Sequence, residues 1–170
     1  MIVKKLIGGR YMVKVLLTGM SGVGKSTVLK QISKSYSNSI DLDYDGWIHM
    51  DNLSNDRKMD TSRIISYIQE YNDKDIFFSG TTINQKEIYP YLDFIITLTA
   101  PIEIMRERIL SRENNSFGKS NHDWEKIKND KRDFEQLIIK SSDFVISTEQ
   151  TVNNIVVEIY SLVGLSSNHL

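Results

Sequence analysis

The sequence predicts an α/β fold in which a parallel sheet is covered by helices on both faces. Five short segments rich in β-branched and aromatic residues have the composition of buried strands: residues 13–18, 40–42, 76–79, 94–98 and 144–147. Between them, apolar residues recur at three- and four-residue steps, which predicts helices over about residues 25–36, 64–71, 101–111, 124–138 and 152–162. Because strands and helices alternate, the strands are expected to run parallel.

The composition is that of one domain. The chain has 170 residues, 40% of them hydrophobic, and we expect a domain over residues 12–170 after a short extension over residues 1–11. A net charge of −1 gives no basic field for nucleic acid or an anionic membrane, and no apolar run approaches the ~20 residues of a membrane span. The absence of cysteine excludes disulfides and thiolate metal sites. We expect a cytoplasmic protein that is a monomer or a weak homodimer.

A glycine-rich loop over residues 19–27 has the pattern G-x-x-x-x-G-K-[ST] between the first predicted strand and the first predicted helix. In that context glycines let backbone N–H groups surround a phosphate, and the helix N-terminus adds its partial positive charge. Lys25 is predicted to reach the terminal phosphates, and Ser26 is predicted to bind Mg²⁺ through its hydroxyl. The residues predicted to bind the nucleotide here are Gly19, Gly22, Val23, Gly24, Lys25, Ser26 and Thr27.

Acidic residues follow the second predicted strand, where the sequence reads Asp41-Leu42-Asp43-Tyr44-Asp45. While the chain stays extended, Asp41, Asp43 and Asp45 share one face. Carboxylates crowded at a strand end favour a bound cation, and Mg²⁺ prefers oxygen ligands and works with phosphates. Asp41 is therefore a candidate to order the Mg²⁺ shell, and Asp43 is a candidate to accept the proton of an attacking hydroxyl. An ordinary acidic turn is the alternative interpretation.

A polar, poorly periodic segment over about residues 44–62 has the position of a substrate-binding insert. The third predicted strand ends at Gly80, where a bare backbone would let a substrate approach closely. Thr81 and Asn84 supply neutral hydrogen-bonding groups beside it, and Arg63 is predicted to bound the same acceptor cleft. A simple turn at Gly80 is an equal alternative.

Arg108 and Arg112 are spaced for one side of the third predicted helix and precede a glycine-containing segment, about residues 113–122, that has the position of a closing lid. Arginines there suit the charge of a transferring phosphoryl group, so Arg112 is a catalytic candidate and Arg108 a nucleotide-binding candidate. Arg106 is expected to be solvated, and a solvated charged face for the whole group is the alternative. Thr148, which leaves the fifth predicted strand, is expected to line the adenine site, to cap the last helix, or both.

With these motifs, residues 13–163 resemble the small shikimate-kinase and nucleotide-kinase branch of the phosphate-loop proteins. Similar patterns of uncharacterised bacterial proteins in this branch appear here as Gly80-Thr81-Thr82-Ile83-Asn84-Gln85 and from Arg112 to Lys119. The resemblance implies a five-stranded parallel sheet in the order 2-3-1-4-5, ATP as the phosphoryl donor and closure of a lid during transfer. The matching positions are Gly19 to Thr27, Asp41-Leu42-Asp43, Gly80, Arg108 and Arg112.

The acceptor is left open by the sequence. Shikimate kinases have three glycines where this chain has Gly80-Thr81-Thr82, and their Arg-Pro-Leu-Leu lid sequence is missing. Nucleoside monophosphate kinases would call for several arginines in the insert, where Arg57 and Arg63 are available.

We expect an ATP- and Mg²⁺-dependent phosphotransferase acting on a small-molecule hydroxyl or a nucleoside. A nucleoside monophosphate kinase and a nucleotide-binding module without kinase activity are the alternatives. A GTP-binding switch is disfavoured, because the D-x-x-G match at residues 43–46 follows the phosphate loop too soon and no Asn-Lys-x-Asp motif is present.

Overall fold

The computed structural model describes residues 6–7, 9–53, 56–113 and 115–166. Within these ranges the strands are β1 (Leu6–Ile7), β2 (Arg10–Tyr11), β3 (Lys14–Thr18), β4 (Ser39–Asp41), β5 (Ile48–Met50), β6 (Arg57–Met59), β7 (Ile76–Ser79), β8 (Phe94–Thr99) and β9 (Phe144–Ser147). The helices are α1 (Lys25–Ile32), α2 (Thr61–Glu70), a 3₁₀ helix (Gln85–Tyr91), α3 (Ile102–Ser111), α4 (Asn121–Lys140) and α5 (Val152–Leu162).

The main sheet is parallel and its strand order is β4-β7-β3-β8-β9. Counted along the chain, this is the order 2-3-1-4-5 that the resemblance implied, so the predicted fold class is confirmed. The register places Leu16 of β3 between Phe78 of β7 and Ile95 of β8. All five strands therefore end at the same edge of the sheet, where ligands of open α/β sheets bind.

Two hydrophobic cores lie on opposite faces of the sheet, because successive side chains of a strand point to opposite sides. Val15 and Leu17 belong to the larger core, which contains buried residues of α1, α3, α4 and α5. Leu16 belongs to the second core, which contains residues of α2 and the 3₁₀ helix. The central strand β3 is buried along its whole length, so the loop that follows it is held on a rigid base.

Several helices are preceded by an N-cap residue, whose side chain accepts a hydrogen bond from a backbone N–H of the first turn. Asp60 accepts from the N–H of Arg63 at the start of α2, Ser120 from Asp123 at the start of α4, and Thr151 from Asn154 at the start of α5. The cap at Asp60 fixes where the predicted insert returns to the helical layer. Of the two roles expected for Thr148, the cap of the last helix therefore belongs to Thr151.

The predicted insert contains a two-stranded antiparallel hairpin of β5 and β6, which the sequence did not reveal. Ile48 pairs with Met59, and Met50 pairs with Arg57. Met59 and Trp47 are buried in the second core, whereas Met50 is exposed. The hairpin is therefore fastened to the domain along one side and presents its other side to solvent.

In the described part of the expected N-terminal extension, β1 and β2 pair with each other as antiparallel strands. The Arg10 guanidinium forms two hydrogen bonds with the carboxylate of Asp75, of 2.9 and 2.5 Å, and Asp75 also accepts from the N–H of Val13. This pair attaches residue 10 to the start of β7; the division into an extension and a domain at residue 12 stays a prediction. In the described part of the chain, no helix has the length and apolar character needed to cross a bilayer.

Candidate active site

The glycine-rich loop connects β3 to α1 at the carboxyl edge of the sheet, as the motif requires. Gly19 has φ +140, and a Cβ built there would lie 2.3 Å from the carbonyl oxygen of Leu98. Any larger residue would push the loop away from β8, so the first glycine of the motif is required by the approach of two backbones. Ser26 and Thr27 follow in the first turn of α1 and are exposed.

Lys25 is folded back onto the loop. Its Nζ donates to the carbonyl oxygens of Gly19 at 2.8 Å and Met20 at 3.1 Å. Burial lowers the pKa of Lys25, the cations Arg57 and Arg112 act in the same direction, and the carboxylates of Asp43 and Asp41 oppose it. The ammonium group thus lies among the groups predicted to surround the terminal phosphates.

Asp41 is the last residue of β4 and lines the same cleft as Ser26 of α1. Burial raises the pKa of Asp41, and the nearby Ser26 hydroxyl opposes this rise. In the β4–β7 register Asp41 lies beside Ser79, whose buried hydroxyl has no hydrogen-bond partner in the described part of the chain. A half-buried carboxylate with two neighbouring hydroxyls is a set of oxygen donors that fits Mg²⁺ and its water shell.

The described residues contain no group of three or more His, Asp or Glu side chains that could hold a metal ion. Ser26 and Asp41 would therefore hold Mg²⁺ together with phosphate oxygens and waters. This is the usual arrangement for Mg²⁺ in sites that bind nucleoside triphosphates.

Asp43 lies in a turn beyond the end of β4. The extended geometry lasts only to Asp41, so the expected common face of three aspartates does not form: Leu42 turns inward and is fully buried, and Asp45 has a left-handed backbone with φ 58. Asp43 stays next to Asp41 because its N–H donates to the Asp41 carboxylate at 3.2 Å.

The carboxylate of Asp43 forms an ion pair with Arg57 of the insert hairpin, with 2.6 Å between Arg57 Nη2 and Asp43 Oδ1. This contact was not predicted from the sequence, which left Arg57 without a role. It brings the insert against the acidic turn at the carboxyl edge of the sheet.

Gly80 follows β7 and packs against Leu42. A Cβ at residue 80 would lie 3.0 Å from the Cβ of Leu42, so the glycine allows the acidic turn to settle close to β7. Its predicted role in substrate approach stays a prediction, and the contact with Leu42 gives it a structural reason in addition.

Thr81 and Asn84, both predicted to bind the acceptor, make contacts inside the protein. The Thr81 hydroxyl donates to the carbonyl of Gly19 at 2.8 Å and accepts from its N–H at 3.1 Å. The Asn84 amide donates to the carbonyl of Met59 and accepts from its N–H, both at 3.0 Å. Their contact with an acceptor stays a prediction.

Arg63 stacks on the indole of Trp47, with its guanidinium carbon 3.8 Å from the ring centroid, and donates to the carbonyl of Asp45 at 3.0 Å. The side chain is therefore placed at the rim of the insert. The bond to Asp45 brings it to the turn that follows β4, and its contact with an acceptor stays a prediction.

Arg108 of α3 joins the phosphate loop to the end of β9. Its Nη1 donates to the carbonyl of Val23 at 3.1 Å and to the hydroxyl of Thr148 at 2.8 Å, and its Nη2 donates to the Thr148 carbonyl at 2.8 Å. The Thr148 hydroxyl also donates to Val23 at 2.9 Å. These two predicted nucleotide-binding residues are thus brought together on the β9 side of the loop.

Arg112 ends α3 and holds the predicted lid. Its Nε donates to the carbonyl of Asn115 at 3.2 Å, and its Nη2 donates to the carbonyl of Phe117. Burial lowers the pKa of Arg112, and the charges of Tyr44 and Asp43 oppose this fall. Arg112 therefore contacts the lid and is within electrostatic reach of the turn after β4.

The expectation that Arg106 is solvated is wrong, because its side chain makes contacts within the protein. Its Nη1 donates to the carbonyl of Gly118 at 2.7 Å, and its guanidinium lies 4.7 Å from the ring centroid of Trp124. A Cβ on Gly118 would lie 2.6 Å from Ile127 and 2.9 Å from Ile109, so the lid crosses the helices at close contact. The sequence showed the arginine and the glycine but not that they meet.

Residues 15–133 match a family model described as an AAA domain, and the chain belongs to that family. No curated protein sequence matches the chain. Among solved structures, an unliganded sugar kinase from a Janibacter species is similar with a TM-score of 0.63 and 11% identity, over 91% of this chain and 96% of the other.

A shikimate kinase from Acinetobacter baumannii in complex with shikimate is similar with a TM-score of 0.61 and 16% identity, over 89% of this chain and 93% of the other. The tunicamycin resistance protein of Deinococcus radiodurans has a TM-score of 0.55 and 15% identity, over 91% and 97%. At these identities the likeness shows a shared fold. The resemblance to the shikimate-kinase-like branch of the P-loop proteins is confirmed at that level.

Proposed function

We propose that this protein is an ATP- and Mg²⁺-dependent phosphotransferase that moves the γ-phosphoryl group of ATP to a hydroxyl of a small molecule. The observation on which the proposal depends is the position of Asp43. Its backbone N–H donates to the Asp41 carboxylate, and its own carboxylate is within electrostatic reach of both Lys25 and Arg112. A base, a phosphate-binding loop and a lid arginine at one edge are what in-line phosphoryl transfer needs.

In the proposed reaction the acceptor hydroxyl oxygen bonds to the γ-phosphorus while the bond from that phosphorus to the β,γ-bridging oxygen breaks. ADP leaves with that electron pair, and the proton of the hydroxyl passes to Asp43. Lys25 and Arg112 stabilise the negative charge that spreads over the phosphoryl oxygens. Bound Mg²⁺ would neutralise phosphate charge, and Ser26 and Asp41 are the residues that would hold it.

Arg108 and Thr148 would bound the nucleotide on the β9 side of the loop, where they contact Val23. Arg63, Gly80, Thr81 and Asn84 would shape the acceptor side. The lid over residues 113–122 would close on the transferring group and exclude water.

A hydroxyl acceptor is favoured over a nucleoside monophosphate because the two arginines of the insert are already engaged. Arg57 pairs with Asp43, and Arg63 is stacked on Trp47 and bound to a backbone carbonyl. An acceptor phosphate is better matched by arginines whose guanidinium forks face the cleft.

The proposal also includes the remaining expectations from the sequence. We propose a small-molecule acceptor, no nucleic-acid or membrane partner, and a monomer or weak homodimer in the cytoplasm. Sedimentation at micromolar concentration tests the oligomeric state, and a stable tetramer or larger assembly would contradict it.

The test is ADP release measured across a panel of hydroxylated metabolites and nucleosides, with nucleoside monophosphates as a separate group. We expect at least one hydroxyl acceptor to stimulate ADP release and to appear as a phosphorylated product by mass spectrometry. If only nucleoside monophosphates stimulated ADP release, the acceptor would be a nucleoside monophosphate and the proposed hydroxyl acceptor would be wrong. No stimulation by any compound, with MgATP still bound, would favour a nucleotide-binding module without kinase activity.

A further inference from the structure

Residues 81–85, which we name the bridge segment, run from the end of β7 to the first residue of the 3₁₀ helix. Their polar side chains do not face solvent as a group. Gln85 is 4% exposed and Thr82 is 8% exposed, whereas Ile83 between them is 61% exposed. An apolar residue outside and polar residues inside indicate that the buried hydrogen bonds of this segment matter more than its surface.

One end of the bridge segment holds the entrance of the phosphate loop. The Thr81 hydroxyl is bonded to both backbone groups of Gly19. Behind it, the hydroxyl of Thr18, the last residue of β3, donates to Gln85 Oε1 at 3.0 Å and lies 3.0 Å from the Thr81 hydroxyl. Because Gln85 Nε2 donates to the Tyr89 hydroxyl at 2.8 Å, both polar ends of this buried amide are satisfied.

Thr81 and Lys25 donate hydrogen bonds to the same carbonyl oxygen. The carbonyl oxygen of Gly19 accepts from Lys25 Nζ and from the Thr81 hydroxyl, both at 2.8 Å. When Lys25 turns toward a phosphate, this carbonyl keeps Thr81 as a donor and is not left unpaired. Without the Thr81 hydroxyl, movement of Lys25 would leave the Gly19 carbonyl without a hydrogen-bond donor, and leaving a buried acceptor unpaired costs free energy.

The other end of the bridge segment holds the insert hairpin. Asn84 makes with Met59 the pair of hydrogen bonds that a further strand would make, and the Thr82 hydroxyl orients the Asn84 oxygen at 2.9 Å. Two residues before Met59, Arg57 forms the ion pair with Asp43. Asn84 is therefore connected to Arg57 through Met59, and Arg57 is connected to Asp43.

We infer that the bridge segment couples the two halves of the site, so that uptake of MgATP at the phosphate loop orders the insert hairpin beside Asp43. Thr81, Asn84 and Gln85 act in this as positioning residues. The inference rests on the proposed function for its biological meaning. Its physical basis is one short segment bonded to Gly19 at one end and to Met59 at the other, and coupling through such contacts acts in both directions.

Amide hydrogen exchange of the full chain, with and without MgATP, tests the inference. In the unsubstituted protein we expect MgATP to slow exchange in the phosphate loop and also, by about fivefold or more, at the amides of residues 57–59. Asn84→Ala is expected to keep the protection of the loop and to lose that of the hairpin. Ile83→Ala, an exposed change within the same segment, is the matched control and should behave as the unsubstituted protein.

A second pair of variants tests the other end and does not depend on Asn84. Thr81→Val, which keeps the shape and removes the hydroxyl, is expected to weaken MgATP binding about tenfold. Thr81→Ser keeps the hydroxyl and is expected to bind MgATP within about twofold of the unsubstituted protein. Equal affinities of Thr81→Val and Thr81→Ser would overturn the role of the hydroxyl.

Protection confined to the loop in the unsubstituted protein, or hairpin protection that survives in Asn84→Ala, would overturn the coupling. Coupled protection without phosphoryl transfer to any acceptor would support the inference while contradicting the proposed function. Phosphoryl transfer with protection confined to the loop would support the proposed function and contradict the inference. Absence of any MgATP uptake would overturn both.

Discussion

Arg57 Nη2 of the insert hairpin lies 2.6 Å from Oδ1 of Asp43, which follows β4 in a turn. The side chains are 54% and 34% exposed, so solvent screens the pair and its contribution to stability is about 0–1 kcal/mol. Its importance is positional, because the pair holds the carboxylate that is proposed to accept the proton. It also connects the hairpin to the turn that follows β4.

Arg57→Ala is therefore expected to change the free energy of unfolding by less than about 1 kcal/mol and to lower acceptor-stimulated ADP release more than MgATP affinity. Arg132→Ala is the matched control, since Arg132 forms an exposed pair with Asp133 on α4, with 2.7 Å between Nε and Oδ1. Chemical denaturation and steady-state kinetics measure the two effects. Identical behaviour of the two variants would contradict the positional role.

Asp43→Asn is expected to lower turnover by about 10²- to 10⁴-fold and to leave MgATP affinity within a few-fold, because the amide cannot take the proton. Asp45→Asn is the control in the same turn. Asp45 has a left-handed backbone, which asparagine also adopts readily. A parallel loss of turnover and affinity in Asp43→Asn would show that this carboxylate serves nucleotide binding and not proton transfer.

The raised pKa of Asp41 predicts two pH effects. Since Mg²⁺ binding needs the ionised carboxylate, MgATP affinity is expected to fall as the pH falls through the pKa of Asp41, which is raised from its ordinary value. In the nucleotide-free protein the folded state binds this proton more readily than the unfolded state. Its free energy of unfolding is therefore expected to decrease as the pH rises from the ordinary carboxyl pKa to the raised one.

Asp41→Asn is expected to remove both pH effects. Calorimetry of MgATP binding and chemical denaturation over the acidic range measure them. Unchanged pH profiles in the variant would assign the titration to another group.

Gly118→Ala is expected to destabilise the protein by about 1–3 kcal/mol and to disturb the lid, because the residue has φ +89 and its Cβ would meet Ile127 at 2.6 Å. Gly164→Ala separates the two causes, since Gly164 has φ +73 and nothing within 4 Å of the added atom. Thermal unfolding should show the larger loss at residue 118. Equal losses would mean that the steric contact is relieved by movement of the lid.

The five strands of the main sheet and the phosphate loop could be predicted because they depend on local patterns. The strand at residues 14–18 has three consecutive apolar residues at its centre and is followed by a glycine, and short buried strands of a parallel sheet have this composition. The hairpin of β5 and β6 escaped prediction because each strand has three residues, with exposed polar residues such as His49 and Arg57. Its attachment to the domain includes a contact with Asn84, which lies 25 residues beyond Met59.

The site was predicted where one motif fixes the geometry and less well where distant segments meet. Ser26 and Asp41 come together because two parallel strands end at the same edge of the sheet. The partners of Asp43 and Arg106 follow from long-range packing of the insert and the lid, which no spacing in the sequence reports. The prediction that three aspartates share one face was wrong for a local reason: β4 ends at Asp41, and Leu42 packs in the second core.

Calorimetric titration of the folded protein with ATP, with and without Mg²⁺, tests the central claim most directly. The account predicts magnesium-dependent uptake of one ATP per chain, reduced by at least about tenfold in Lys25→Met, with Lys30→Met on the exposed side of α1 as the control. Uptake that ignores Mg²⁺, or equal affinities of Lys25→Met and Lys30→Met, would contradict the assignment of the loop as a triphosphate site.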